Sequence, residues 1–231
     1  MPLSMTGLGG GAASLFRAAA GGGGAAIFDF TGGSAPTGFT VASGSTPTLT
    51  FDGTGAKFNG NAVSNAYRLR STDSFTGDYL FQISTRIDDS AGSWCNDAGI
   101  GLFNNTYTSS NWDWAWNTTV SNRIAVQNNC PQPVIYGTSA TINGTSDLLR
   151  PAPQGQVPQN DWITMHMKHE PSIPTTSYSV TLGNKDWTQS GTRIQNWISI
   201  GDTWSGTYYW GITCDNDSYD TYINGARYEK L

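Results

Sequence analysis

An all-β, antiparallel two-sheet sandwich is predicted by three features of this 231-residue sequence. Short segments in which apolar and polar residues alternate recur along it, bounded by Gly, Pro, Asn and Asp, the pattern of strands joined by turns. Glutamate occurs only twice, as Glu170 and Glu229, against 28 glycines and 9 tryptophans. Helices lean on Glu, Lys and Leu, whereas Gly, Ser, Thr, Asn and aromatics are the residues of turns and strands. No long segment carries a 3.6-residue period, so about a dozen strands must cover one another's apolar faces, which two packed sheets achieve. One sandwich can absorb the whole length from residue 27 to residue 231.

Residues 1–26 differ in kind from the rest of the chain. Leu3, Met5, Leu8, Leu15 and Phe16, with Arg17, are spaced through the runs Gly9-Gly10-Gly11 and Gly21-Gly22-Gly23-Gly24. Such a segment cannot bury enough apolar area to offset its backbone entropy, so it is expected to order only against a partner surface. Extended, it would reach roughly 90 Å, far enough to cross onto a neighbouring subunit. No basic residue precedes Arg17 and the glycines interrupt any apolar core, so a secretory signal of the usual form is not expected.

The strands come in order along the remaining sequence. Ile27-Phe28-Asp29-Phe30 opens the series, with Phe39-Thr40-Val41, Thr48-Leu49-Thr50-Phe51 and Ala66-Tyr67-Arg68-Leu69-Arg70 after it. Between Tyr79 and Ile87 the alternation is clearest: Tyr79, Phe81, Ile83, Thr85 and Ile87 share one face, Leu80, Gln82, Ser84 and Arg86 the other. Ala98 to Phe103, Trp112 to Asn117 and Asn122 to Gln127 continue it. Residues 137–160, rich in Gly, Ser, Thr, Pro and Gln, are expected to form a long surface loop. Ile163, Met165 and Met167 then face away from Trp162, Thr164, His166 and Lys168. Tyr178, Val180 and Leu182 alternate likewise, as do Tyr208, Trp210, Ile212 and Cys214. The last strand runs from Tyr219 to Tyr228, with Asn224-Gly225 as a turn within it.

Composition excludes several partners. Charged residues make up 13 % of the chain, the net charge is −5 and no Lys/Arg run exists. A phosphate-backbone binder needs a basic footprint, so no nucleic acid is expected. No apolar stretch approaches the roughly 18 residues that span a bilayer, so no membrane insertion is expected. Cys95, Cys130 and Cys214 form no CxxC and are not a zinc cage. One disulfide with a free thiol, or three buried reduced thiols, are the readings that remain, the second being preferred.

Phe28-Asp29-Phe30, the strand Asp78 to Ile83, Ala98-Gly99-Ile100-Gly101-Leu102-Phe103, the strand Trp162 to Lys168, Trp210-Gly211-Ile212 and Tyr222-Ile223-Asn224-Gly225 resemble, in that order, the concanavalin A-like lectin/glucanase jelly roll. The resemblance covers residues 27–231. The Gly/Ala-rich leader also resembles the N-termini of some tailed-phage virion proteins.

The jelly-roll family holds enzymes and non-enzymes, so residues must decide. Its laminarinase-type hydrolases carry E-x-D-x-x-E on one strand, which supplies the carboxyl separation of about 5–5.5 Å that a retaining mechanism needs. Glu170 precedes Pro171 and Glu229 stands near the last residue, so that pattern is absent. Alginate-lyase-type relatives use Gln-x-His, where this chain has Gln82-Ile83-Ser84. His166 and His169, three apart on a strand, fall on opposite faces and cannot share a metal from it; His166 is expected to be exposed and His169 to sit at a strand end. Asp88-Asp89 reads as a turn. No Gly-x-Ser-x-Gly elbow or Cys–His pair occurs, so no catalytic residue is assigned.

Binding has better candidates. Trp112, Trp114 and Trp116 project to one face if their segment is a strand, either into the inter-sheet core or as a flat indole row on which sugar rings stack, with Asp113 and Asn117 beside them. Asp215, Asp217 and Asp220, in an expected hairpin loop, are hard oxygen ligands at a spacing that suits Ca2+, although Asp and Asn are also ordinary turn formers.

The resemblances together imply a virion structural protein, a capsid-decorating cement protein or a tail appendage subunit, assembled in the host cytoplasm. It would dock on other virion proteins through residues 1–26 as a symmetric homo-oligomer, a trimer being one form that fits a local threefold or a fibre. The alternative is a carbohydrate-binding, lectin-like module for host receptor recognition, and a polysaccharide-degrading enzyme comes third. No cofactor is expected other than the candidate Ca2+.

Overall fold

The computed structural model describes residues 24–42, 49–58, 67–88, 96–103, 120–129, 132–138, 160–201, 206–216 and 220–231. Among these, every regular element is a strand: β1 (Ala26–Asp29), β2 (Phe39–Ala42), β3 (Leu49–Phe51), β4 (Ala56–Phe58), β5 (Tyr67–Ser71), β6 (Tyr79–Asp88), β7 (Asn96–Phe103), β8 (Val120–Asn129), β9 (Gln132–Thr138), β10 (Ile163–Glu170), β11 (Thr175–Leu182), β12 (Arg193–Gly201), β13 (Tyr209–Asn216) and β14 (Asp220–Lys230). They form two antiparallel sheets. The first has eight strands in the order β12-β11-β10-β6-β14-β4-β3, with β1 also on β14; the second has six, in the order β2-β5-β13-β7-β8-β9.

β14 organises the first sheet. One of its edges pairs with β6 along its full length, from Asp220↔Asp88 to Lys230↔Tyr79. Its other edge is shared in succession by β4, opposite residues 221–223, and β1, opposite residues 225–228. Asn224 lies at the handover, as the extra residue where the β6 register shifts between Ile223 and Gly225. The expected Asn224-Gly225 turn is therefore a β-bulge in a continuous strand. The segment can bend without reversing because its carbonyl is claimed by the Phe30 N–H at 3.1 Å.

Two further expectations change. Strands β13 and β14 do not pair as a hairpin: β13 belongs to the six-stranded sheet and β14 to the eight-stranded one. Residues 137 and 138, expected to open a loop over 137–160, belong instead to β9, which extends to Thr138 and pairs with β8; residues 139–159 lie outside the described residues.

The core fills the space between the sheets with aromatics. Phe81 of the first sheet meets Trp210 of the second with ring centroids 5.0 Å apart, and Phe28 meets Phe39 edge-on at 4.9 Å. Phe75 stacks on Tyr208 at 6.1 Å and meets Tyr228 at 4.9 Å. Each such pair contributes about 0.5–1.5 kcal/mol beyond area burial. The buried Trp210 Nε1–H has no acceptor among the described residues, and an orphaned donor of this kind costs about 1–3 kcal/mol. Burial raises the Tyr208 hydroxyl far above its ordinary pKa, with Tyr79 and Asp78 adding to the effect, and its O–H donates to the Gly77 carbonyl at 2.8 Å.

Candidate functional site

The outer face of the eight-stranded sheet is polar by strand alternation. In register across β11, β10, β6 and β14 stand Ser179, His166, Gln82 and Arg227. The next row holds Thr181, Thr164, Ser84 and Gly225. At one end Arg86 lies over the rings of Trp162 (5.2 Å) and Tyr222 (4.8 Å), and Lys57 over Tyr222 at 5.6 Å.

The connection from β11 to β12 folds back over these rows. Gly183 starts it at φ 130°, a conformation that suits glycine, and Lys185 and Gln189 turn it at φ 54° and 59°. Asp186 holds it closed: its carboxylate accepts from the Ser190 N–H at 3.0 Å and the Gly191 N–H at 2.9 Å. Burial pushes the Asp186 carboxyl up, but hydrogen bonds from Thr181, Gly191 and Ser190 outweigh this and hold it below its ordinary pKa. A side chain at Gly191 would collide with the Leu182 carbonyl, so the turn closes only on glycine.

Sheet side chains dock the connection. Ser84 Oγ and Asn224 Nδ2 donate to Asn184 Oδ1 at 3.0 and 2.7 Å. The Lys185 N–H donates to Ser84 Oγ at 3.0 Å and the Asp186 N–H to Thr164 Oγ1 at 2.9 Å. Gln82 Nε2 reaches the Trp187 carbonyl at 3.1 Å. Trp187 and Lys185 lie down over Gly225, where a Cβ would meet them at 3.2 and 2.9 Å. The result is an open cavity of about 400 Å3 lined by Leu182, Lys185, Asp186, Trp187, Thr188 and Ser190.

His166 is completely buried beneath this connection, not exposed as expected. The alternation places it on the outer face correctly, but the later chain segment covers that face. Gln82 Oε1 accepts from Arg227, so Gln82 Nε2 donates to His166 Nδ1 at 2.8 Å. His166 Nε2–H then donates to Thr181 Oγ1 at 2.9 Å, and Thr181 bonds Asp186. The network runs in one direction, from the Arg227 guanidinium to the Asp186 carboxylate, through a neutral imidazole. Burial pushes the His166 pKa down to about 3; Asp186 opposes this, while Arg193 and Arg227 add to it.

His169, on the inner face, is also buried, with Nδ1 3.1 Å from Thr176 Oγ1 and its ring edge-on to Tyr208 at 4.8 Å. The two histidines thus lie on opposite faces. Glu170 ends β10 and Glu229 lies on β14 with β6 between, so their strands are roughly 10 Å apart. Glu229 is engaged by Arg227 at 2.6 Å. The arrangement offers hydrogen-bonding groups and aromatic faces, and it does not bring Glu170 and Glu229 together as a carboxylate pair.

Several sequence candidates lie elsewhere. Leu3, Met5, Leu8, Leu15, Phe16 and Arg17 are outside the described residues, as are Trp112, Asp113, Trp114, Trp116 and Asn117. Asp215 lies near the end of β13 and Asp220 opens β14, while Asp217 lies outside the described residues. Cys95 and Cys130 also lie outside them. The connection 183–191, which sequence reasoning missed, has a legible signal in Gly183-Asn184-Lys185-Asp186 and Gly191, turn residues at both ends.

No protein-family model matches the chain, and no curated protein matches it. Solved structures do. A lectin from Bauhinia forficata in complex with GalNAc is 11 % identical, with a TM-score of 0.59 over 90 % of this chain and 99 % of that one. The Emp47p carbohydrate recognition domain is 11 % identical, with a TM-score of 0.59 over 88 % and 94 %. The CBM2 module of Lactobacillus casei BL23 phage J-1 evolved Dit is 11 % identical, with a TM-score of 0.57 over 89 % and 94 %. At these identities the likeness shows the fold, a legume-lectin-like, concanavalin A-like jelly roll.

Proposed function

We propose that the protein is a carbohydrate-binding, lectin-like module that holds a glycan without chemically altering it. The observation that carries this reading is the cavity at the β11–β12 connection. Its volume of about 400 Å3 lies within the range of roughly 300–1,000 Å3 usual for ligand sites. A half-buried indole, Trp187, borders it, and Asn184, Thr188 and Ser190 are exposed around it. Indoles stack on the C–H faces of sugar rings, and amides and hydroxyls match sugar hydroxyls as donors and acceptors. His166, the nearby titratable ring, has both nitrogens engaged and is neutral, which suits support better than proton transfer. The lectins and carbohydrate-recognition domain that share the fold support the same reading. Trp112, Trp114 and Trp116, with Asp113 and Asn117, are a second proposed glycan contact.

A glycan array probed with the intact protein tests this. Trp187→Ala or Trp114→Ala should weaken binding about tenfold, a loss of about 1.4 kcal/mol, measured at a temperature where each variant remains folded. A protein that binds no glycan would sink the reading, and release of oligosaccharide from laminarin or alginate would replace it with catalysis.

A second reading, compatible with the first, is a virion structural role as a cement protein or tail appendage subunit, in which residues 1–26 dock the body to other virion proteins. The likeness to a module from a phage protein favours it. Because β1 begins at Ala26, the informative truncation ends at Gly24. The shortened chain should stay folded and soluble but fail to join its particle; normal incorporation would reduce the leader to a linker.

A further inference from the structure

The chain carries a net charge of −5, yet six of its twelve basic residues stand on or over the outer face of the eight-stranded sheet: Lys57, Arg86, Lys168, Lys185, Arg193 and Arg227. Lys185 is matched by Asp29 at 3.2 Å and Arg227 by Glu229 at 2.6 Å. Lys57 and Arg86 lie against Tyr222. Lys168 and Arg193 differ from Lys185 and Arg227. Among the described residues, no carboxylate lies within ion-pair distance of either, although Glu170 follows Lys168 on the same face of β10.

These two cations converge on one indole. Lys168 Nζ lies 4.9 Å and Arg193 Cζ 5.9 Å from the centre of the Trp197 ring, and the His166 ring is 6.3 Å away. Trp197 belongs to β12 and Lys168 to β10, so the contact spans β11, whose residues there, Ser177 and Ser179, are small and buried. Arg193 is oriented by bonds to Ser179 Oγ and, at 3.3 Å, to Gln189 Oε1. Gln189 belongs to the connection that forms the cavity, so this cluster and the cavity are neighbours on one face.

A half-buried indole with two cations at its ring that no carboxylate among the described residues pairs is an unfinished electrostatic arrangement. Cation–π attraction offsets only part of the cost of holding positive charge there, and an arriving anion would complete it with charge-assisted hydrogen bonds. A neutral sugar would use the ring and leave both cations idle. We infer that Trp197, Lys168 and Arg193 form a subsite for an acidic sugar, one bearing a carboxylate or a sulfate, within the glycan bound on this face; the inference rests on the carbohydrate-binding reading above. The sugar ring stacks on the indole while its anionic group meets the ammonium and the guanidinium.

The test uses the intact protein and five probes: polygalacturonate and alginate for carboxylates, chondroitin sulfate for sulfate, dextran as a neutral polymer, and duplex DNA as a plain polyanion. At physiological salt, one of the two acidic classes should bind, more weakly as salt rises. Lys168→Glu should cut that binding at least about tenfold, and Lys168→Arg should retain most of it. Lys168 is partly exposed, so its substitution spares the fold; Trp197→Phe provides a second variant that keeps an aromatic while shrinking the platform. Binding of dextran but of no acidic polymer would overturn the inference and leave the carbohydrate reading standing. Acidic binding that survives Lys168→Glu, or equal retention on duplex DNA, would also overturn it. Failure to bind any glycan, neutral or acidic, would remove the reading on which it rests.

Discussion

The inner face of β10 presents Ile163, Met165, Met167 and His169 to the aromatic core, while its outer face presents Thr164, His166 and Lys168. Met165 and His166 are neighbours in sequence and both are 0 % exposed, but they are buried by different means. Met165 is covered by the opposite sheet, where removal of apolar area from water suffices. His166 is covered by a connection seventeen to twenty-five residues later in the chain, and its burial is tolerable because Gln82 and Thr181 satisfy both ring nitrogens. The inner face depends on volume and the outer face on completeness of hydrogen bonding. A missing methylene leaves a cavity in the first, whereas a missing partner or an added proton leaves an uncompensated polar group in the second.

Two measurements test that contrast, the larger effect first. Met165→Ala removes a fully buried side chain from the inner face and should cost about 2–5 kcal/mol, read as a lowered urea midpoint at neutral pH. A cost below about 0.5 kcal/mol, the range of ordinary surface substitutions, would mean that the sheets do not close over this position. The second concerns acid. His166 titrates near 3 in the folded state and near 6.5 when unfolded, so between these values the unfolded chain holds the extra proton. Stability is therefore unaffected by this group above pH 6.5 and falls as the pH drops below it, by about 1.4 kcal/mol per unit, until it levels off near pH 3. From pH 6.5 to pH 5 the loss should be about 2 kcal/mol by urea titration, and His166→Gln should flatten that slope. A slope unchanged by the substitution would show that His166 is not held neutral.

Face assignment was legible in the sequence, and exposure was not. Alternation from Trp162 to His169 placed Met165 and Met167 inside and His166 outside, because strand geometry alone decides which face a residue takes. Whether a face meets water depends on what packs over it, and nothing in residues 161–169 announces the Asp186 turn. Strand β12 escaped notice because register shifts at Val180 interrupt its pairing with β11, so Ile194, Trp197 and Ile198 show no clean two-residue period. Asn224-Gly225 carried a true turn signal, but β6 paired through it and converted a reversal into a bulge. The cavity beside Trp187 was hidden for the same reason as the burial of His166: it exists only once a connection folds back onto strands far away in sequence.

The pairing of β1 with β14 has a mechanical consequence. Ala26 stands opposite Tyr228 and Asp29 opposite Gly225, so the strand that follows the leader lies antiparallel to the last strand, and the two ends of the pair emerge on the same side. A pull applied between the leader and the C-terminal end would load these rungs one at a time, opening them like a zipper instead of shearing them together. Four rungs in series make a weak clasp, the first part of the sheet to yield under tension, and β6 would still hold the other edge of β14 after they had parted.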